Sequence, residues 1–219
     1  MNQKAIIVGS TGLIGSFLLE YLLQNENFSQ IIALVRTAQI SKNNKLKYVE
    51  TDFKKLDKVA NEITGESLFI CIGSTMAKAG SKDAFLKIDY DIPVDIAHMA
   101  LKNGVQKCFV VSSLGADANS SNFYLHTKGK MEQAIEKLGF KNTVFMRPSI
   151  LFGTRKEFRL GELIGKFLMR IVGPLFIGPL KKYKGIHGKT VAKAMINLSI
   201  SNNTGIQKFE SHEIKSLAL

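Results

Sequence analysis

A tyrosine and a lysine stand four residues apart, Tyr124 and Lys128, in a stretch whose apolar spacing predicts a helix over 124–138. This separation puts the phenol and the ammonium on one helix face, one turn apart. A free tyrosine loses its proton only at a pH of about 10. A neighbouring ammonium stabilises the phenolate, which suits the phenol to acid–base chemistry near neutrality. Pairs at this spacing are common by chance, so the interpretation depends on their surroundings.

Two serines precede this helix, where a predicted strand over 108–112 ends. A hydroxyl at that point can hold a substrate oxygen while Tyr124 donates or removes its proton. We expect Ser113 to have this role. Ser112 stays an alternative, because the sequence does not separate the two.

A glycine-rich turn follows the first predicted strand, residues 5–8, and leads into a pattern of helical period. Such a turn presents free amides and the positive end of a helix dipole to an anion. Gly9 would allow the tight turn, Gly12 the approach of a pyrophosphate, and Gly15 close packing of helix on strand. The spacing G-x-x-G-x-x-G leaves an ordinary glycine-rich turn as the alternative. Its place directly after the strand favours dinucleotide binding.

The end of the second predicted strand distinguishes NADP from NAD. An acidic residue there would accept a hydrogen bond from a ribose hydroxyl and repel a 2′-phosphate. The sequence instead has Arg36 and Thr37, and no Asp or Glu follows them until Glu50. A guanidinium binds phosphate through two parallel hydrogen bonds, so NADP is the expected cofactor.

Two later strand ends add weaker cofactor contacts. Asp52 and Phe53 close the third predicted strand, where the carboxylate could accept from the adenine amino group. Gly73 closes the fourth, where the cofactor could pass close to the backbone.

Strands and helices alternate over residues 1–150, which predicts an α/β fold: a doubly wound parallel sheet of the Rossmann type. Residues 151–219 are less regular and too few for an independent domain, so we expect a single domain with a small C-terminal substrate cap. The predicted strands span 5–8, 30–35, 46–51, 68–72, 108–112, 143–146 and 206–210. The predicted helices start at Leu13 and span 83–102, 124–138, 161–171, 189–199 and 211–217, with a short one near Leu56.

The 219 residues carry 30 basic and 18 acidic side chains, a net charge of +12. Such a charge favours anionic partners. The lysines are scattered and Trp is absent, so specific nucleic-acid binding is not expected. The apolar segment 163–180 carries Lys166 and Arg170, and it favours a core-packing helix over a peripheral membrane contact. Oligomeric state is left open.

Cys71 and Cys108 each lie in an apolar run, which favours buried, reduced thiols. No secretory leader is expected and the thiols are expected to be reduced, so the predicted compartment is the reducing cytoplasm. The histidines lack partners at metal-ligand spacing, and no metal site is expected.

The chain resembles an atypical short-chain dehydrogenase/reductase, and within that superfamily it is similar to the Tat-interacting-protein oxidoreductase branch. The resemblance covers nearly the whole chain. It rests on GSTGLIG at 9–15, DFKKLD at 52–57, CIGSTMAKAG at 71–80, SSLGADANSSNFYLHTKGKME at 112–132 and FMRPSILFG at 145–153. The long 112–132 match is specific; the glycine turn alone is not.

The resemblance implies an NADP(H) site and assigns residues to it. Lys128 would also hold the nicotinamide ribose, Leu151 would lie near the nicotinamide, and Arg159 near a cofactor phosphate. Many relatives carry an Asn on the helix after strand four, and the nearest position here is Asp89. The implied cofactor-binding residues are Ser10, Thr11, Gly12, Leu13, Ile14, Arg36, Thr37, Gly73, Tyr124, Lys128, Leu151 and Arg159.

The expected function is an NADP-dependent oxidoreductase that moves hydride to or from a small carbonyl or alcohol, with Tyr124, Lys128 and Ser113 as its catalytic residues. The alternative is an NADPH-binding regulatory protein that senses the cofactor and acts through protein partners. A nucleotide-sugar epimerase or dehydratase is less favoured, because those enzymes generally carry a larger C-terminal substrate domain. The substrate stays unidentified.

Overall fold

The computed structural model of the protein describes residues 2–37, 39–153 and 184–219. Three sequence-based expectations lie outside these residues: Arg159, the helix over 161–171 and the apolar segment 163–180. No helix in the described ranges is long and apolar enough to cross a membrane.

Seven parallel strands form the central sheet, in the order β3-β2-β1-β4-β5-β6-β9. The inner strands are runs of β-branched and aromatic residues without a polar face, as strands buried on both sides require. A short parallel pair, β7 and β8, lies apart from this sheet. The bounds are β1 Gln3–Val8, β2 Phe28–Val35, β3 Leu46–Glu50, β4 Ser67–Ile70, β5 Lys107–Val111, β6 Asn142–Arg147, β7 Leu151–Phe152, β8 Ile186–His187 and β9 Gly205–Glu210.

Helices cover both faces of this sheet. On one face α1, α6 and α7 bury an apolar cluster that includes Leu18, Val191 and Ile214. On the other, α4 and α5 bury a second cluster that includes Ile96 and Met131. The predicted doubly wound Rossmann fold is therefore confirmed. The helices are α1 Leu13–Gln24, α2 Met76–Ala79, α3 Lys82–Leu86, α4 Ile92–Lys102, α5 Phe123–Leu138, α6 Gly188–Ile200 and α7 Ser211–Leu217, with a 3₁₀ turn at Leu56–Glu62.

The helix expected over 83–102 contains a widened turn. A π-helical segment, Lys87–Asp91, joins α3 to α4, and the Ile92 N–H donates to the Lys87 carbonyl five residues back. Pro93 follows at once and has no N–H to donate, so it sits at the start of α4. The apolar spacing continues across the junction, and the wider turn is therefore invisible in the sequence pattern.

The C-terminal residues contribute to the main sheet, whereas we expected a cap over its edge. β9 pairs with β6 along its whole length, from Asn142 opposite Gly205 to Arg147 opposite Glu210. α6 packs in the same apolar cluster as α1. Both elements bury apolar surface against the sheet, and residues 188–217 are therefore part of the Rossmann layers.

Candidate functional site

The expected site residues gather at one edge of the sheet, because the carboxyl ends of parallel strands meet there. The glycine turn follows β1, Arg36 follows β2, and Gly73 follows β4 shortly after its last residue. β1 lies between β2 and β4, where the strand order reverses direction. In open α/β sheets this switch point is where ligands bind.

The glycine turn has the tight geometry that its sequence suggests. Gly9 has a φ of +85°, and its carbonyl accepts the Gly12 N–H at 2.9 Å. A Cβ on Gly15 would stand 2.1 Å from the Gly9 oxygen, so only glycine fits. Gly12 opens α1 without a side-chain cap, and the first turn holds no acidic residue. Nothing in this turn competes with an anion for the helix amides.

Ser10 adds a donor to this turn. Its side chain is 4% exposed, and its Oγ has no hydrogen-bond partner among the described residues. A buried hydroxyl without a partner is uncommon in folded proteins. It fits the oxygen of a bound phosphate group.

The neighbouring strand ends carry the residues expected at the adenosine end. Arg36 and Thr37 are both exposed. Asp52 is exposed too, and its Oδ1 accepts the backbone N–H groups of Lys54 and Lys55. The first of these bonds does most to lower the pKa of the Asp52 carboxyl. Asp52 thus shapes its own loop, in which Phe53 is buried with a φ of +59°.

α5 holds Tyr124 in its first turn. The Asn122 side chain accepts the Leu125 N–H and caps the helix. A Cβ on Gly129 would lie 2.1 Å from the Ala118 nitrogen, so the preceding loop packs directly on the helix backbone. Tyr124 is half-buried, with its ring centroid 5.6 Å from that of Phe85. These contacts fix the start of the helix against both the loop and α3.

Lys128 is buried next to the backbone that follows β4. Its Nζ lies 2.7 Å from Asp89 Oδ1, in an ion pair whose side chains are 5% and 0% exposed. The other carboxylate oxygen, Oδ2, accepts the Ser74 N–H at 2.7 Å. A Cβ built on Gly73 would stand 3.2 Å from Asp89 Oδ1 and 3.5 Å from Lys128 Nζ. Lys128, Asp89 and the 73–74 backbone therefore form one cluster. The sequence analysis named Gly73, Lys128 and, through the resemblance, Asp89, but it did not predict the ion pair or the hydrogen bond to Ser74.

The two serines after β5 differ in environment. Ser112 is 5% exposed, its N–H donates to the Met146 carbonyl, and its Oγ has no partner among the described residues. Ser113 is half-buried, and its Oγ makes a long 3.4 Å contact with the Leu114 carbonyl. Ser113 is thus the more accessible hydroxyl, whereas the Ser112 hydroxyl has no hydrogen-bond partner in the described part of the chain. Both remain candidates for the substrate oxygen.

Leu151 lies in β7, which pairs with β8. This small sheet is linked to the glycine turn through Leu13, the first residue of α1. A Cβ on Gly153 would stand 2.4 Å from the Leu13 side chain, and one on Gly188 would stand 3.0 Å from it. The β7–β8 pair therefore flanks the helix end at which a cofactor phosphate would bind.

One buried charge pair near the site was missed by sequence reasoning. Arg147 at the end of β6 donates to both carboxylate oxygens of Glu132, from Nε at 2.9 Å and from Nη2 at 2.5 Å. Glu132 is 1% exposed and lies one turn beyond Lys128 on α5. The pair ties α5 to β6. In the sequence, the only indication of this pair is that Glu132 stands four residues after Lys128, on the same face of the helix.

The thiols and potential metal ligands do not suggest further chemistry. Burial raises the pKa of Cys71 to about 12, and it also raises that of Cys108. Both thiols are therefore protonated at neutral pH. The described residues contain no group of three or more His, Cys, Asp or Glu side chains that could hold a metal ion.

Curated relatives resemble the chain over most of its length. "Protein FMP52, mitochondrial" from Candida albicans is 35% identical over 215 residues, covering 89% of this chain and 94% of that protein. "Protein HTATIP2" from Rattus norvegicus is 32% identical over 208 residues, covering 93% of this chain and 84% of that protein. The second relative confirms the resemblance drawn from the sequence motifs.

The cytoplasmic location expected from the sequence is wrong. Several of these relatives are named as mitochondrial proteins, at 31–35% identity over 89–99% of this chain. Reduced thiols argue against an oxidising compartment but do not distinguish one reducing compartment from another. For that reason, the cysteines alone could not identify the compartment.

Solved structures share the fold at low sequence identity. The Bordetella bronchiseptica enzyme WbmH in complex with NAD+ superposes with a TM-score of 0.73 at 17% identity, covering 100% of this chain and 80% of that one. A UDP-N-acetylglucosamine 4-epimerase from Methanobrevibacter ruminantium gives 0.71 at 16% identity, covering 95% and 76%. A family model described as NAD(P)H-binding matches residues 9–163. The chain therefore belongs to the NAD(P)H-binding family of Rossmann-fold proteins.

Proposed function

We propose that the protein is an NADP-dependent oxidoreductase that transfers hydride to or from a small carbonyl or alcohol. The observation that carries this proposal is the Tyr124–Lys128 pair on α5. Its lysine is buried against the backbone after β4, and β4 adjoins the strand that leads into the glycine turn. Lysine is rarely buried in folded proteins, and the burial of this one at the ligand-binding edge of the sheet supports a functional role.

The residues at the sheet edge fit a dinucleotide. Ser10 offers a buried hydroxyl without a partner among the described residues, and the α1 amides carry no competing cap. Gly73 is exposed, and the absence of a side chain there leaves the backbone open directly above Lys128. Bound in this cradle, the nicotinamide would supply or accept the hydride.

The chain's own residues would manage the proton and the substrate oxygen. As the carbonyl carbon gains a hydride, its oxygen gains negative charge. The Tyr124 phenol donates a proton to that oxygen, which completes the alcohol, and the Lys128 ammonium stabilises the phenolate left behind. Ser113 donates a hydrogen bond to the same oxygen, with Ser112 as the alternative donor. In the alcohol-to-carbonyl direction each transfer is reversed.

Arg36 supports NADP over NAD. Its guanidinium is exposed at the end of β2, and Thr37 adds a hydroxyl beside it. The following loop contains no carboxylate before Glu50 to repel a 2′-phosphate. A phosphate held through two charge-assisted hydrogen bonds is the interaction best suited to this side chain.

The test is NADPH oxidation against a panel of aldehydes, ketones and quinones, with wild type, Tyr124→Phe and Tyr48→Phe. Tyr48 lies on β3, the edge strand that pairs with β2 and is separated from β5 by three strands, and it serves as the control. We expect wild type and Tyr48→Phe to reduce at least one compound and Tyr124→Phe to lose about a hundredfold in rate or more. If wild type binds NADPH tightly but reduces none of the compounds, the result would contradict the proposed oxidoreductase activity and support a cofactor-sensing protein.

A further inference from the structure

An isoleucine outside the proposed catalytic set is exposed at the edge of the sheet where the substrate would bind. Ile150 follows the last residue of β6 by three positions and is 47% exposed. Isolated apolar side chains are common on protein surfaces, so exposure alone does not indicate a site. The position of Ile150 does indicate one, because the segment that carries it spans the proposed binding site.

The segment after β6 is held at both ends by parts of that site. At its start, the Pro148 carbonyl accepts the N–H of Leu114, which directly follows the two candidate serines, at 3.0 Å. At its end, a Cβ on Gly153 would stand 2.4 Å from the side chain of Leu13, the first residue of α1. An extended chain advances at most about 3.6 Å per residue, so Ile150 lies within about 7 Å of Pro148. Ile150 is therefore placed between the candidate donors to the substrate oxygen and the helix end proposed for the cofactor phosphates.

Hydrogen bonds fix the backbone around Ile150. The Ser149 N–H donates to Ser211 Oγ at 2.8 Å, and the Ile150 carbonyl accepts the Ile186 N–H at 2.9 Å. Ile150 thus extends the pairing of β7 with β8, and successive side chains along a strand point to opposite faces. The next side chain, Leu151, packs against the apolar cluster that α1 and α6 cover. Ile150 is therefore turned away from this cluster, and a fixed backbone presents its side chain to solvent.

We propose that Ile150 is a specificity-determining residue: it contacts an apolar chain or ring that the substrate carries next to its carbonyl group. This inference rests on the proposed function. Ser113, or Ser112, would hold the carbonyl oxygen while Ile150 covers the carbon chain attached to the same carbonyl. Removing both apolar surfaces from water favours binding of the longer carbon chain. Carbonyl compounds with an apolar substituent are therefore the expected substrate class.

The test compares the NADPH-dependent reduction of propanal with hexanal, and of acetone with 2-hexanone, by wild type, Ile150→Thr and Ile206→Thr. Threonine keeps the branched Cβ and replaces apolar surface with a hydroxyl. Ile206 is 54% exposed near the start of β9, at the opposite end of the sheet, and is the matched control. In wild type and Ile206→Thr we expect kcat/KM to be about tenfold or more higher for the longer compound of a pair. Ile150→Thr should lower kcat/KM for the longer compound about fivefold or more, mainly through KM, and change that for the shorter one less than about twofold.

If wild type reduces the short and long compounds equally well, or if Ile150→Thr slows both alike, the inference is overturned and the proposed function stays intact. Activity on quinones but on none of these four compounds would also overturn the inference alone. Wild type that reduces no compound at all would overturn both. Ile150→Val removes a single methyl group and covers the case in which Ile150→Thr does not fold. It should lower the ratio of kcat/KM for hexanal to that for propanal about twofold or more, and an unchanged ratio would contradict the contact.

Discussion

Replacing Arg147 by Met should destabilise the protein far more than breaking a surface ion pair. Arg147 binds both carboxylate oxygens of Glu132, whose side chain is 2% exposed. The variant leaves that carboxylate buried, with Lys208 Nζ 3.7 Å away as a partial substitute. Breaking a fully buried pair costs about 3–5 kcal/mol. Because Arg147 is 20% exposed and Lys208 is near, we expect about 2–3 kcal/mol.

The matched control is the Lys47–Glu62 pair, whose side chains are 51% and 38% exposed. Lys47→Met should cost no more than about 0.5 kcal/mol, since water already solvates both charges. Urea unfolding followed by circular dichroism measures both variants. In a protein of this size, the Arg147→Met loss corresponds to a fall in Tm of about 4–12 °C.

The double variant Glu132→Leu/Arg147→Met separates loss of the pair from burial of a lone charge. Removing both charges takes away the unpaired carboxylate, so stability should return to within about 1 kcal/mol of wild type. The reasoning is refuted if Arg147→Met costs no more than Lys47→Met. It is also refuted if the double variant is as unstable as the single one.

Three further predictions follow from the geometry. Gly129→Ala should cost about 3 kcal/mol in urea unfolding, because its Cβ would stand 2.1 Å from a backbone nitrogen, while Lys130→Ala on the exposed face should change little. Arg36→Asp should weaken NADPH binding about tenfold or more but leave NADH binding nearly unchanged. The control Lys42→Asp, at another exposed position, should affect the two cofactors equally. Equal losses of NADPH and NADH affinity in Arg36→Asp would contradict the role of Arg36 in binding the 2′-phosphate. The Cys71 thiol, with its pKa raised from 9.0 to about 12, should resist a disulfide reagent at pH 8 until the protein is unfolded. Above pH 9 the thiol of the unfolded chain loses its proton before that of the folded protein does. The contribution of Cys71 to the free energy of unfolding should therefore be full below pH 9 and fall as the pH rises toward 12.

The fold was predictable because its signals are local. The runs of β-branched residues and the glycine turn identify buried strands and their order along the chain. The position of β9 could not be read in this way. A parallel strand has no turn that links it to its neighbour, so nothing near residues 205–210 indicates that β6 is its partner.

The candidate site was predictable in part, for a related reason. Tyr124, Lys128 and Gly73 stand at recognisable places, at helix starts and strand ends. The partners of Lys128 and Glu132 lie 39 and 15 residues away along the chain, and only the folded chain brings them together. Asp89 lies in a π turn, which leaves the apolar spacing of the sequence undisturbed.

The π turn also determines where this helix can lose a residue. A π turn holds one more residue than an α turn while covering about the same rotation, so α3 and α4 keep nearly the orientation of a regular helix that is one residue shorter. Loss of one residue within 87–91 can therefore be absorbed by a return to regular winding. Loss of one residue within the α-helical turns of α3 or α4 would instead rotate the residues before it by about 100° relative to those after it, and Phe85 would then leave the Tyr124 ring. The helix should therefore tolerate a one-residue deletion within 87–91 far better than one within α3 or α4.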